Sequence, residues 1–188
     1  NRPGRAIAGS SGEVTPAFEA KIVDDNGYEV PLGEVGNLMV KGDATAPFYW
    51  NKHEQTKKMM QGEWLKTGDT YYRDAEGYYW YCGRSDDMMK VGGLWVSPIE
   101  IENTLMEHPA VLESGVVANE DADGLLKPKA YILLKSEYQA QEEIKVELQN
   151  HVKTKLEPYK YPRWVEFVDD LPKTVTGKIQ RFRLRAKQ

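Results

Sequence analysis

The stretch Tyr81–Glu100 separates two parts of the chain that differ in sequence character, and its own residues predict a structural junction. The adjacent glycines Gly92 and Gly93 allow the backbone to turn back on itself, because they have no Cβ atom. Ser97 and the Pro-Ile-Glu that follows it predict the capped start of a helix. Arg84, Asp86 and Asp87, the charged residues shortly before the glycines, fit either a hinge between domains or a solvated β-turn with incidental charges.

The part before this stretch is typical of a β-rich structure. Glycines recur through residues 1–84 at intervals of about ten residues, as in short strands joined by turns in a small barrel or sandwich. The predicted strands and helix of this part are Ala20–Val23, Asn37–Lys41, Thr70–Tyr72 and Tyr78–Cys82, with a short helix over Asn51–Met60.

The part after it mixes helices and strands. Apolar residues four apart predict two amphipathic helices, one containing Ile101 and Leu105 and the other spanning Ile144 to Leu156. Three apolar runs predict strands at Val111–Ala118, Lys129–Leu134 and Trp164–Val168. The patterns together predict an α+β fold, with a small β-rich, barrel-like subdomain at residues 1–85 and a small α+β domain at residues 86–188.

Composition excludes several classes of function. The net charge of −4 gives no general attraction to nucleic acid or to an anionic membrane. The single cysteine, Cys82, cannot form an internal disulfide or a cysteine metal site, and we interpret it as a packed strand residue. No apolar run approaches the roughly 18 residues that span a bilayer. We therefore expect a cytoplasmic protein with no nucleic-acid, membrane or metal site in this chain.

The first candidate site is Thr67-Gly68-Asp69, just before a predicted hairpin. A carboxylate on a turn beside glycine can accept two hydrogen bonds at once, as from neighbouring ribose hydroxyls, and such bonds to a charged group contribute about 1.5–3 kcal/mol each. Taken alone, the three residues are more often an ordinary Asx-type turn.

Two cations form the other candidate sites. Arg84, in Gly-Arg-Ser-Asp-Asp, presents a planar donor fork suited to ribose or phosphate oxygens, but it could also form a salt bridge with a neighbouring aspartate. Lys178, in Thr-Gly-Lys, could direct its ammonium group toward negative charge developing on a phosphate or carboxylate. The alternative interpretation of Lys178 is that it is an ordinary solvated lysine in a basic tail.

The order and spacing of these three motifs resemble the adenylate-forming superfamily, which includes acyl-CoA synthetases, non-ribosomal peptide adenylation domains and luciferases. Thr-Gly-Asp is followed after about fifteen residues by Gly-Arg-x-Asp-Asp, and Pro-Lys-Thr-x-x-Gly-Lys comes near the C-terminus. Residues 90–102, 159–174 and 176–182 are similar to segments of benzoate-CoA ligases and related aryl-CoA synthetases. The resemblance covers essentially the whole chain.

The resemblance implies a ligase that works in two half-reactions, first making an acyl-adenylate from a carboxylate and ATP and then a thioester with coenzyme A. It implies that Asp69 and Arg84 bind the ribose hydroxyls of ATP or AMP. Lys178 would be catalytic, stabilising charge between the carboxylate and the α-phosphate during adenylation. The partners implied are a small carboxylic acid, an aryl acid above all, together with ATP and coenzyme A.

The resemblance also implies that the C-terminal domain rotates between the half-reactions. Asp86 matches the hinge, and Lys90 and Trp95 lie in the loop that would face coenzyme A after rotation. Gly92 and Gly93 would line the path of the pantetheine arm, where a Cβ would obstruct the thiol.

The family's phosphate-binding loop and its Thr-Glu motif for Mg²⁺ are not found in this sequence. We expect them, and the acid pocket, in the remainder of a large N-terminal domain, so that residues 1–85 would be the last subdomain of that domain. The chain would then be a C-terminal portion that is inactive, or nearly so, by itself.

Three alternatives remain open at this point. The parent could activate another carboxylic acid or load a carrier protein instead of free coenzyme A. The chain could be a non-catalytic binding or regulatory module with the same fold. The basic tail that includes Lys178, Arg181, Arg183, Arg185 and Lys187 could bind nucleic acid.

Overall fold

The computed structural model describes residues 4–186 and divides into two compact units between Asp86 and Asp87. The mixed α+β class that the sequence predicts is confirmed. None of the helices in the described range combines the length and the apolar character that crossing a membrane requires.

The first unit is a five-stranded sheet with one short helix. Its elements are β1 (Glu19–Val23), β2 (Gly36–Lys41), α1 (His53–Met59), β3 (Met60–Gln61), β4 (Trp64–Arg73) and β5 (Tyr79–Arg84). β4 is the central strand, since it pairs in antiparallel fashion with β2, β3 and β5. The buried side chains Ile22, Met39, Tyr79 and Cys82 belong to this unit, so the interpretation of Cys82 as a packed strand residue is confirmed.

The structure corrects one local prediction, the placement of Thr67-Gly68-Asp69 on a turn before a hairpin. These three residues lie inside β4, whose strand begins at Trp64 rather than at Thr70. Between the register pairs Asn37–Thr70 and Met39–Lys66, the three residues of β4 stand opposite the single residue Leu38 of β2. The segment is therefore a β-bulge, which bends a strand locally and changes the direction of its side chains.

The second unit begins with a hairpin and then forms a three-stranded sheet with helices. Its elements are β6 (Met89–Val91), β7 (Leu94–Val96), α2 (Pro98–Met106), β8 (Val111–Glu120), β9 (Leu126–Leu134), α3 (Glu142–Lys155), β10 (Trp164–Phe167) and α4 (Arg181–Arg185). The sheet order is β10-β9-β8, with β8 and β9 antiparallel and β9 and β10 parallel. The parallel pair is joined through α3, as a parallel connection requires a long crossover.

The sheet of the second unit is covered on both faces, because alternate residues of its strands are buried on opposite sides. Val116 and Ile132 belong to a large cluster that also contains apolar residues of the hairpin, α2 and α3. Their neighbours Val117 and Tyr131 instead pack with Leu184 of α4 in a smaller cluster. The second face thus fixes the C-terminal helix and the loop before it on the sheet.

Both amphipathic helices follow their sequence patterns. The Ser97 Oγ accepts a 3.2 Å hydrogen bond from the backbone N–H of Glu100, which confirms the predicted N-cap of α2. Leu148 and Val152 of α3 are fully buried, while acidic residues occupy its first turn and lysines its last, as the helix dipole favours.

Candidate functional site

Asp69 and Arg84 are brought together by strand register. They are directly opposite each other in the β4–β5 pair, and the Arg84 Nη1 donates a 3.0 Å hydrogen bond to Asp69 Oδ1. The Arg84 side chain is 51% exposed and the Asp69 side chain 29%, so both groups can still reach a ligand. The sequence analysis gave an ion pair of Arg84 as the alternative to ligand binding, and this ion pair is present. It leaves the Arg84 guanidinium as a donor and the Asp69 carboxylate as an acceptor next to each other at the surface.

The bulge in β4 makes this close approach possible. Gly68 has a φ of +78°, and a Cβ placed on it would lie 2.8 Å from Arg84 Nη2. The Thr67 hydroxyl closes the bulge, because it donates to the Leu38 carbonyl at 3.1 Å and accepts from the Asp69 N–H at 3.1 Å. Thr-Gly-Asp is thus a local structure in which each residue type has a separate physical role.

Further hydrogen bonds next to the pair join the interior of β4 to the end of β5. The buried Thr70 hydroxyl donates to the Gly83 carbonyl at 3.0 Å, and the Ser85 N–H donates to the Gly68 carbonyl at 2.9 Å. The Ser85 hydroxyl also donates to the side-chain oxygen of Asn37 at 2.9 Å. These bonds give the Asp69–Arg84 pair a fixed base.

Asp86, the predicted hinge residue, is the last residue of the first unit. Its Oδ1 lies 3.9 Å from Arg84 Nε, a long and solvent-exposed ion pair that contributes little to stability. The position of Asp86 in a turn after β5 suits a residue whose backbone angles can change.

The four predicted coenzyme A residues lie on the β6–β7 hairpin of the second unit. Gly92 and Gly93 form its turn, with φ values of +58° and +84°, and no atom lies within 4 Å of a Cβ built on either residue. Lys90 and Trp95 are opposite each other in the register, with the Lys90 Nζ 4.4 Å from the centre of the Trp95 ring. The hairpin presents a cation, an aromatic ring and a turn with no side chains, while its valines anchor it in the core.

Lys178 lies on a different loop of the second unit, next to the C-terminal helix. The loop is closed by hydrogen bonds from the Thr174 N–H to the Lys178 carbonyl, at 2.8 Å, and from the Lys178 N–H to the Thr174 hydroxyl, at 3.1 Å. Gly177 has a φ of +82° at the turn. Within residues 4–186 the Lys178 ammonium group has no hydrogen bond or ion pair, and the residue is exposed. The loop therefore presents an ammonium group that is available to interact with a ligand.

A buried network of four charged side chains lies next to this loop. The Arg181 guanidinium donates to both oxygens of Glu102, through Nε at 3.0 Å and Nη2 at 2.5 Å, and to Asp87 Oδ2 through Nη1 at 3.2 Å. Asp87 Oδ1 also accepts from Arg185 Nη1 at 3.1 Å. Glu102 Oε1 accepts a further bond from the Val116 N–H at 2.7 Å.

The electrostatics of the network follow from its burial. Burial raises the pKa of the Glu102 carboxyl, against the opposing effect of Arg181. Burial also works against the charge of Arg181, but the hydrogen bonds and charges of Glu102 and Asp87 together outweigh it and raise the pKa of Arg181. The two acids and two bases balance in charge, as buried ions must.

Sequence reasoning missed this network. Arg181 and Arg185 entered that reasoning only as tail cations in one alternative, a nucleic-acid patch, whereas the structure engages both in internal ion pairs. Lys187 of that patch lies outside the described residues. Two arginines four apart on a helix share one face and could have indicated a common acidic partner, but not which one.

In residues 4–186, no group of three or more His, Cys, Asp or Glu side chains could hold a metal ion. The structure thus offers a carboxylate–guanidinium pair, a cation–aromatic hairpin and an exposed lysine loop. Such groups suit binding to hydroxyls, phosphates and carboxylates.

The chain is similar to known proteins both in sequence and in structure. Residues 100–178 match the AMP-binding enzyme C-terminal domain. The chain is 52% identical over 187 residues to the benzoate–CoA ligase of Thauera aromatica, covering 99% of this chain and 36% of that protein.

Two solved structures are similar in the same way. One is an anthranilate CoA ligase in complex with anthranoyl-AMP, with a TM-score of 0.91 and 52% identity, covering 100% of this chain and 36% of that one. The other is a benzoate CoA ligase from Burkholderia xenovorans, with a TM-score of 0.87 and 48% identity, covering 98% and 37%. The chain spans about a third of the length of the relatives it matches.

Proposed function

We propose that the chain is the C-terminal portion of an ATP-dependent carboxylate–CoA ligase, because residues 100–178 match the AMP-binding enzyme C-terminal domain. The observation that carries the proposal is the match along the entire chain to a CoA ligase solved with an acyl-adenylate. The solvent-accessible Asp69–Arg84 pair supports it, as does Lys178, whose ammonium group has no partner within residues 4–186, because these are the group types that nucleotide and carboxylate chemistry requires.

The proposed reaction has two steps. A carboxylate oxygen attacks the α-phosphorus of ATP, the bond to the β-phosphate oxygen breaks, and pyrophosphate leaves. The sulfur of coenzyme A then attacks the acyl carbon, its proton is lost to solvent or a base, and AMP leaves with the electron pair of the acyl–oxygen bond. Neither step consumes an oxidant or a reductant.

In this proposal Asp69 accepts hydrogen bonds from the ribose hydroxyls and Arg84 donates to them. The pairing of the two side chains before the nucleotide arrives holds them near the geometry they need, which reduces the entropy lost on binding. Lys178 contributes a cation where negative charge grows between the carboxylate and the α-phosphate. Phosphoryl transfer depends mainly on such positioning and charge stabilisation.

We assign the second step to the β6–β7 hairpin. Lys90 and Trp95 would contact coenzyme A, and Gly92 and Gly93 would leave a narrow path open to the pantetheine arm. The hinge at Asp86 would let the second unit present first the Lys178 loop and then the hairpin, which is a hinge-type switch. Mg²⁺ would be bound by residues of the parent ligase outside this chain, and we assign no step here to the ion.

The substrate class proposed is an aryl acid, because the similar proteins named above are benzoate and anthranilate ligases. The test is pyrophosphate–ATP exchange by the full-length protein with benzoate, 4-hydroxybenzoate and 2-aminobenzoate, using hexanoate as the aliphatic comparison. We expect exchange that depends on the acid and is fastest with one of the aryl acids. Exchange with hexanoate alone would contradict the substrate class, and no exchange with any acid would contradict the ligase.

A further inference from the structure

The buried charge network of the second unit, formed by Asp87, Glu102, Arg181 and Arg185, joins its first residue to its last helix. Asp87 opens the unit, directly after the proposed hinge Asp86, and it accepts one hydrogen bond from each arginine. The side chains of Asp87 and Arg181 are 15% and 12% exposed, and that of Glu102 is 7% exposed. Water can therefore compete little for the bonds among these three side chains, whereas the Arg185 side chain is 35% exposed.

The same network is connected to the Lys178 loop by a short and constrained path. Only Ile179 and Gln180 separate Lys178 from Arg181. The Gln180 N–H donates to the Pro172 carbonyl at 2.8 Å, so the two ends of the loop are tied together immediately before Arg181. A shift of the Arg181 guanidinium would move these tied ends of the loop and so change the position of Lys178.

The chemistry of the network indicates that it orients the side chains of this region more than it stabilises the fold. A buried ion pair costs desolvation free energy, and well-packed apolar residues of similar volume often stabilise a fold as well or better. A guanidinium held by a bidentate bond to one carboxylate and by another bond to a second carboxylate has its orientation fixed in a way that apolar contacts do not achieve.

We propose that Arg181 is a positioning residue for adenylation: through Asp87 and Glu102 it holds the Lys178 loop at a fixed place relative to the hinge. Rotation about Asp86 is then transmitted to Lys178 as a rigid movement. This inference rests on the function proposed above. It concerns only the first half-reaction, because Lys178 is not the group presented in the second.

The test compares Arg181→Lys with Arg183→Lys in the full-length protein. Arg181→Lys keeps the charge but cannot make the planar, three-bond arrangement. Arg183 is on the same helix, is exposed, and lies 5.9 Å from the Phe182 ring instead of joining the network. The assays are pyrophosphate–ATP exchange, thioester formation from presynthesised acyl-adenylate, and thermal unfolding.

We expect Arg181→Lys to lower kcat for exchange by about 10²-fold, as a displacement of about 1 Å does, with KM for ATP nearly unchanged. Thioester formation should stay within about twofold of wild type, and Arg183→Lys should match wild type in both assays. Arg185→Lys, which disturbs the bond to Asp87 and leaves the three bonds of Arg181 in place, should show the same selective loss to a smaller degree.

Equal losses in both half-reactions would mean that the network only stabilises the fold, and undiminished exchange in Arg181→Lys would mean that it does not position Lys178. Either result overturns the inference. If Arg181→Lys does not fold, Arg185→Lys decides by the same criterion. A wild-type protein without exchange removes the proposed function as well. Exchange lost in Lys178→Ala but retained in Arg181→Lys removes the inference alone.

Discussion

Arg84 lies across the strand pair from Asp69, with its Nη1 3.0 Å from Asp69 Oδ1, and it occupies the space directly over Gly68. A side chain at position 68 would therefore meet the guanidinium before it met anything else. The ion pair therefore depends on the bulge in β4, because Arg84 can approach Asp69 only where Gly68 has no Cβ.

This relationship predicts that Gly68→Ala weakens AMP binding as well as folding. The variant must hold alanine at φ +78°, at a cost of about 1–3 kcal/mol, and it must also displace Arg84 Nη2. Gly62→Ala is the matched control, because its φ is +63° and its Cβ would meet nothing within 4 Å. Denaturant unfolding and calorimetric titration of AMP into the full-length protein should show similar destabilisation in both variants, with affinity lost only in Gly68→Ala. Equal affinities would contradict the ribose role of Arg84.

Asp86→Pro should arrest the proposed rotation. Proline fixes φ near −65°, so the junction between the units could take only the backbone angles compatible with one orientation. We expect at least one half-reaction of the full-length protein to fall by an order of magnitude or more. Asp86→Ala, which removes the carboxylate and keeps backbone freedom, should retain both. Near-normal rates of both half-reactions in Asp86→Pro would refute the hinge.

Gly92→Ala should impair thioester formation and leave adenylation intact. The added methyl group meets no atom of residues 4–186 within 4 Å, so an effect beyond backbone strain indicates contact with a group outside this part of the chain, which we propose is coenzyme A. Gly124→Ala is the control for strain, since its φ of +74° is similarly positive and its surroundings are also open. Measured separately, pyrophosphate–ATP exchange should be similar in the two variants, whereas KM for coenzyme A should rise only in Gly92→Ala. A rise in both variants would trace the effect to strain.

The stability of the second unit should depend on pH through His108. Burial lowers the pKa of His108 below its ordinary value of 6.5, and the nearby His151 lowers it further against the weaker effect of Glu147. The His108 Nδ1 also accepts a 3.3 Å hydrogen bond from the Ala110 N–H, which the protonated ring cannot do.

The unfolded chain therefore binds this proton more readily than the folded one, and stability is lost as pH falls below about 6.5. Thermal unfolding at about pH 7.5 and about pH 5.5 should show a smaller decrease in Tm for His108→Gln than for wild type. His53→Gln, at an exposed position of α1, should behave as wild type does. A decrease that is the same in all three proteins would exclude His108 as the source.

Much of the local structure could be predicted because the signals for it are local. Ser97 and Glu100 are three residues apart, and the cap that they form is set within one turn of helix. The apolar spacing of α3 likewise defines its buried face at Leu148 and Val152 without information from elsewhere in the chain. The paired glycines of the β6–β7 turn act through their own backbone angles.

The features that escaped prediction depend on distant partners. The bulge at Thr67–Asp69 arises from pairing with Leu38, which the sequence around Asp69 does not reveal. Arg181 and Glu102 are separated by 79 positions, so nothing near Arg181 indicates that it is buried rather than solvated. The order of the motifs predicts which residues belong to the candidate sites. The distances between their side chains depend on the three-dimensional fold and cannot be predicted from that order.

The central claim is that Lys178 acts in adenylation and not in thioester formation, and its most direct test is Lys178→Ala in the full-length protein. Pyrophosphate–ATP exchange should fall by about 10²–10³-fold, the usual effect of removing a group that stabilises developing charge. Thioester formation from presynthesised benzoyl-adenylate should be largely retained and serves as the internal control for folding. Undiminished exchange in Lys178→Ala would contradict a role of Lys178 in adenylation and would indicate that it is an ordinary solvated surface lysine.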